Sequence, residues 1–319
     1  MPYLFRRVAY GFFLLTAVSL LCFCSLQLAP GDYFDSLRLN PRVSPETIAN
    51  FRAKSGEGVP LPVRYWRWLL SIARGDWGYS LAYDMPAAGI LRARAENTLF
   101  LTGIGTVLAW AGALVLGIGS MAWKSALADW AIKLLLAASL AIPDVVVALV
   151  FVLIAVRSGF LPAGGISSAA GSAALSSRII DRATHLFLPG LCLALGSLPV
   201  LLANVRSAVT ETLEMPFVRA ARGYGVPTFR LMTRHVLPAA ANPLISLMGL
   251  SIGSLLSSSL VVEIVFNWPG LGQLLLESLL QRDIYLVVDT VVLSTLFFLA
   301  GNFVADVALY VCDPRIKSA

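Results

Sequence analysis

Apolar residues occur along this chain in long runs, without the period-2 alternation of half-buried strands or the narrow stripes of surface helices. A bilayer core takes about 20 mostly apolar residues per helix. That length picks out six runs, 8–28, 99–123, 130–156, 186–202, 244–265 and 286–311, of which the fourth is the shortest. Polar residues gather between them in three places: 30–97, a Gly-, Ala- and Ser-rich stretch at 162–177, and 205–242. The pattern predicts an all-α membrane protein with six transmembrane helices. The linear organisation it predicts is an N-terminal span in 1–29, an insertion at 30–97, a helical core at 98–311 containing the loop 205–242, and a tail at 312–319.

Composition supports this and excludes an ordinary soluble enzyme. The chain is 58% hydrophobic and 13% charged, with mean hydropathy +0.79, against about 25% charged residues in a soluble domain. Arg6 and Arg7 precede the first run as they would in a signal peptide. The run exceeds the usual h-region of roughly 7 to 15 residues, and no small-x-small site precedes Pro30, so a retained anchor is expected.

The net charge of +6 is read first against topology. With six spans, one side carries Arg6, Arg7, Lys124, Lys133, Arg206, Arg219, Arg222, Arg230, Arg234, Arg315 and Lys317. The other carries Arg157, Arg178, Arg182 and Arg282. Eleven against four places both termini in the cytoplasm. The insertion 30–97 then lies outside, in the periplasm; its nine basic and seven acidic residues describe a water-facing folded segment. In it, Ser44-Pro45-Glu46 is a helix start. A second helix is predicted from Pro62 to Arg74, stopped by Gly75, with Tyr65, Trp66 and Trp68 packing on the membrane surface. Cys22, Cys24, Cys192 and Cys312 lie in or beside apolar runs and are expected to be free thiols, with no metal site.

Among the segments placed in the cytoplasm, the loop 205–242 has the most basic residues. Its centre reads Phe217-Val218-Arg219-Ala220-Ala221-Arg222-Gly223-Tyr224-Gly225, followed after nine residues by His235-Val236-Leu237-Pro238. Small residues on a short helical turn with a glycine stop make a knob that fits a cleft on another protein; the simpler reading is an amphipathic helix drawn to anionic lipid.

These residues resemble the "EAA" loop of binding-protein-dependent ABC importer permeases, E-A-A-x3-G-x9-I-x-L-P. Ala220, Ala221, Gly225, Leu237 and Pro238 are in register, with Arg219 at the Glu position and His235 at the Ile position. Those departures are similar to the oligopeptide, dipeptide and nickel permease subfamily, although Gly223 and Tyr224 replace its usual Ala-Lys. The C-terminal part also resembles that subfamily, through Val262-Glu263, Phe266, Pro269-Gly270-Leu271-Gly272, Arg282-Asp283, Asn302 with Asp306, and Asp313-Pro314-Arg315. So does the N-terminal part, through Ala29-Pro30-Gly31-Asp32, Gly75-Asp76-Trp77-Gly78 and Asn97-Thr98.

The resemblance implies a type I ABC importer (MetI-like) permease fold in the bacterial inner membrane. It also implies a second homologous permease, two ATPase subunits or one homodimer, and a periplasmic or lipid-anchored solute-binding protein as partners. Peptides would be the solute, with nickel chelates, opines or another small solute as alternatives. Arg219, Ala220, Ala221, Arg222, Gly225, His235, Leu237 and Pro238 would couple the chain to the ATPase. The sequence has no G-x-x-x-x-G-K-[ST], so ATP and Mg would be bound by partners and no cofactor by this chain.

Two rival readings come from other classes. Gly249-Leu250-Ser251-Ile252-Gly253 matches G-x-S-x-G, but His185 falls near the outer end of the fourth span and His235 in the loop 205–242, away from a serine in the middle of the fifth, so the stripe reads as helix packing rather than as a serine nucleophile. Asp144, beside Pro143, and Asp289 fall at membrane depth, where carboxylates mark a pathway or the coupling groups of an ion-driven secondary transporter. Asn302 and Asp306, one turn apart, read as a structural polar pair.

Overall fold

A computed structural model describes residues 2–28, 59–80, 82–123, 126–168 and 175–312. The helix start at Ser44, Lys124, residues 169–174 of the 162–177 stretch, the side chain of Cys312 and the tail fall outside those residues. The described chain is helical apart from one short hairpin. In order come α1 (Pro2–Leu28), α2 (Leu61–Ala73), β1 (Tyr79–Ser80), β2 (Met85–Pro86), α3 (Ala87–Trp123), α4 (Ala126–Ala141), α5 (Asp144–Ser158) and α6 (Leu175–Leu213). Then follow α7 (Pro216–Gly223), α8 (Thr228–Leu231, continued by a π turn at Met232–Val236 into Leu237–Ala239), α9 (Ala241–Val265), α10 (Leu271–Leu280) and α11 (Ile284–Cys312). β1 and β2 pair antiparallel, with Tyr79 opposite Pro86.

Five helices are long and apolar enough to cross a membrane, and the pair α4 and α5 makes a sixth if it is counted as one span. This corrects the continuous run expected at 130–156. The chain breaks completely at Pro143, and the two helices bend by 103°. Proline has no N–H for the helical ladder and its ring crowds the preceding turn, so here it caps α5 instead of kinking one span. Asp144 therefore sits in the first turn of α5, not in the middle of one continuous span. The fourth span is longer than its apolar run, because α6 continues through polar residues at both ends and accommodates Pro189 and Pro199 internally.

The contacts divide the chain into two compact units. One comprises Met1–Leu4, Thr98–Pro269 and Phe298–Ala319; the other comprises Phe5–Asn97 and Gly270–Phe297. In the first, Ala109, Ala113, Leu198, Leu202, Val205 and Val236 are among the buried residues of one core. Glycines let its helices meet: a Cβ on Gly117 would lie 2.9 Å from Val205 Cγ1, and one on Gly253 would lie 2.2 Å from Phe298 Cε2. Gly249 and Gly253 are thus packing glycines, and Ser251 Oγ accepts from Trp110 Nε1 at 3.0 Å. Opposite ends of this unit are pinned separately. Arg206 pairs with Asp129 at 2.8 Å, while Gly165 N–H donates to the Phe266 carbonyl at 2.9 Å. Thr98 Oγ1 donates to the fully buried Glu263 at 2.7 Å.

In the second unit, the helix predicted at 62–74 is present as α2, and Gly75 ends it at φ +81°. Its aromatics do not share one surface. Trp68 is buried against Phe23, Val288 and Val292, Tyr65 OH shares a 2.9 Å hydrogen bond with Ser19 Oγ, and Trp66 is exposed.

Candidate functional site

The site is the segment from α7 through α8, and local chemistry shapes it. Met215 is extended and Pro216 opens α7 at a position where the missing N–H costs nothing. The helix closes after two turns because Gly225 takes φ +76°, a backbone region that an L side chain enters only with strain. Gly225 N–H then donates to the Arg222 carbonyl at 2.9 Å and Val226 N–H to the Ala221 carbonyl at 3.2 Å, a Schellman cap. Val226 and Ala221 pack together against the core of their unit, as the hydrophobic contact of that cap requires.

The same geometry decides what faces out. Val218 is fully buried and fixes α7 to its unit. Arg219, Ala220, Arg222, Gly223 and Gly225 are exposed, and Tyr224 is 88% exposed. Among the described residues, Arg219 and Arg222 have no side-chain hydrogen bond or ion pair. The result is a small knob with two guanidinium groups, an alanine and an aromatic ring, held by backbone bonds and one valine.

Past Pro227 the chain re-forms as α8. At Met232–Val236 it widens to a π turn, with Leu237 N–H reaching back five residues to the Met232 carbonyl. His235 lies in that turn and is half-buried, as are Ala221 and Leu237, while Pro238 is exposed. The eight residues picked from the sequence thus fall on one continuous segment, with Gly225 as its hinge of conformation and Val218 as its anchor. Val218 was in the recognised stretch without being singled out; a buried valine among exposed neighbours is visible only once the helix is docked.

The carboxylates separate. Asp144 is exposed at the start of α5 and close to α6: a Cβ on Gly196 would lie 2.9 Å from its Oδ1. Asp289 is fully buried, accepts from Trp68 Nε1 at 2.8 Å through Oδ1, and has no partner for Oδ2. Asn302 Nδ2 donates to the Phe298 carbonyl at 3.0 Å, and Asp306 is buried. Two further carboxylates of the second unit were not anticipated. Asp283 accepts from Ser80 Oγ at 2.7 Å and Ala82 N–H at 3.2 Å. Glu277 accepts from Arg94 at 3.0 Å and from the Tyr83 hydroxyl. Burial first, and then the Glu277 carboxylate, push the Tyr83 phenol up to about 12. No signal near these residues in the sequence names their partners, which are about 200 positions away for Asp283.

With five helices long and apolar enough to cross a bilayer, the chain is built as a membrane component. Over residues 113–318 the sequence matches the family described as binding-protein-dependent transport system inner membrane component. It is 32% identical over 317 residues to an oligopeptide transport system permease protein of Bacillus subtilis, covering 99% of each chain. It is 31% identical over 304 residues to a glutathione transport system permease protein of Salmonella paratyphi A, covering 95% of this chain and 94% of the relative. The chain belongs to this family: it is a permease subunit of a binding-protein-dependent ABC importer, a multi-pass inner-membrane protein that is not itself an enzyme. Membership implies an ATPase and a solute-binding protein as partners, and sets aside the ion-driven transporter and the intramembrane protease.

Proposed function

We propose that the knob at 216–225 is seated on an ATPase partner and that its displacement drives solute through a path this chain forms with a second, homologous permease. The observation that carries the reading is the Schellman-capped helix whose Arg219 and Arg222 are exposed with no internal partner among the described residues. Groups that the fold does not use are available to another protein. ATP and Mg are bound by two ATPase subunits or one homodimer. When these close, α7 moves with them, and because Val218 and the Val226–Ala221 contact tie it to the core, the motion passes to the spans as a rigid-body shift.

The solute is a peptide, supported by the oligopeptide and glutathione systems to which the relatives belong; nickel chelates and opines are the alternatives within this class. It is delivered by a periplasmic or lipid-anchored binding protein. Both termini face the cytoplasm, supported by the eleven-to-four distribution of basic residues. Asp144, exposed at membrane depth beside Gly196, lines the path. Asp289, enclosed with Trp68, is left out of it and acts as a structural tether.

The test is to purify the tagged chain from its native membrane in mild detergent and identify what accompanies it, with Arg222→Cys carrying a thiol cross-linker. An ATPase and a second six-span permease should copurify, the cross-link should fall on the ATPase, and any bound binding protein should carry a peptide. Recovery of the chain alone, or a cross-link to anything but the ATPase, overturns the reading.

A further inference from the structure

We propose that the groove between the last turns of α3 and the outer face of α8 is a seat for one anionic phospholipid. The groove holds about 480 Å³ and is walled by Val115, Ile118 and Gly119 on α3 and by Phe229, Met232 and Thr233 on α8. Its walls are almost wholly apolar. Phe229 is 81% exposed and Val115 70% exposed, so among the described residues nothing covers it.

Depth and charge identify the occupant. Residues 115–119 lie four to eight positions before the end of α3 at Trp123, about 6–12 Å along the helix axis. That places the groove where the hydrocarbon gives way to headgroups. Arg230 and Arg234 follow Phe229 and Thr233 directly, stand one helical turn apart and are exposed. Among the described residues they have no ion pair or side-chain hydrogen bond. The loop 205–242, which supplies the α8 wall of the groove, has five arginines against Glu211 and Glu214 and is basic.

A transmembrane helix, roughly 10–12 Å across, would exhaust this volume in about one turn, whereas an acyl chain can lie along it. The chain would fill the apolar walls and its phosphate would meet Arg230 and Arg234, an arrangement that guanidinium groups favour geometrically. Held there, the lipid would brace α8 against α3 beside the coupling knob.

The leaflet concerned is the cytoplasmic one if the orientation proposed above holds. Protease accessibility of a C-terminal tag reads that orientation independently, and the lipid seat itself requires only interfacial depth.

The experiment uses the full chain with its copurifying subunits in nanodiscs. These contain phosphatidylglycerol or phosphatidylcholine carrying a photoreactive diazirine in the acyl chain, and labelled peptides are mapped by mass spectrometry. Phosphatidylglycerol should label the peptides containing 115–119 and 229–233 several-fold more than phosphatidylcholine. Arg230→Gln and Arg234→Gln should each reduce that preference by about fivefold. Gly119→Leu should abolish labelling by both lipids. A Cβ at Gly119 meets nothing within 4 Å, so that variant fills the groove without displacing the fold, and unchanged subunit copurification checks this. Equal labelling by the two lipids, no labelling, indifference to both arginine substitutions, or cross-links in the groove to a partner protein instead of lipid would each overturn the proposal.

Discussion

The knob at 216–225 and the segment at 59–97 are both polar excursions from an apolar chain, yet their side chains are employed in opposite ways. In the segment 59–97, Trp68, Ser80, Tyr83 and Arg94 each bond a carboxylate of the segment 277–289. In the knob, Arg219 and Arg222 bond nothing among the described residues, and the shape is set by backbone bonds around Gly225. A polar side chain already satisfied inside its fold gains little from a partner; one left in solvent can give its full hydrogen-bonding capacity to another surface. The contrast separates a segment that holds the chain together from one that presents it.

The sharpest test of that distinction is Gly225→Arg. Forcing an L side chain to φ +76° costs about 1–2 kcal/mol, enough to lower the population of the capped conformation about tenfold. Copurification of the ATPase and solute uptake should both fall by at least that factor while the chain stays folded. Normal values for both would remove the knob from the coupling role.

Trp68→Ala should do the converse. It deletes a buried aromatic and leaves Asp289 with neither oxygen bonded, a loss of roughly 3–5 kcal/mol in the second unit. Thermal unfolding in detergent checks it, with Phe229→Ala on the exposed face of α8 shifting the midpoint far less.

Within the first unit, Gly253→Ala places a methyl 2.2 Å from the Phe298 ring and should cost about 1–3 kcal/mol by overpacking. Gly119→Ala, in open space on a helix, should gain up to about 1 kcal/mol. If both variants have the same melting point, the close helix approach at Gly253 is not what the contacts indicate.

The smallest effect is alkaline. The folded chain holds the Tyr83 phenol at about 12, above its ordinary value of 10, so its contribution to stability is intact below pH 10 and is lost as the pH rises toward 12. Difference absorbance at 295 nm should show one tyrosine, absent in Tyr83→Phe, ionising near pH 12.

Much of this was legible without coordinates. Hydropathy alone located the five helices long enough to cross a membrane and the region of the α4–α5 pair because a bilayer admits few solutions, and α2 was found from Pro62 and Gly75 because helix starts and stops are local chemistry. Gly225 marked the end of α7 for the same reason: a left-handed cap is a property of one residue and its neighbours.

What the sequence could not determine is which distant groups meet. Pro143 announced a bend, but whether the helix would kink or break by 103° depended on what α5 packs against. Asp144 and Asp289 look alike as isolated carboxylates in apolar runs; one is exposed and the other enclosed by Trp68, 221 positions away. Hydrophobic period, capping and charge bias act over a few residues and are therefore written in the chain. Burial and hydrogen-bond partnership are decided by the packing of elements far apart along it, and only the tertiary structure contains them.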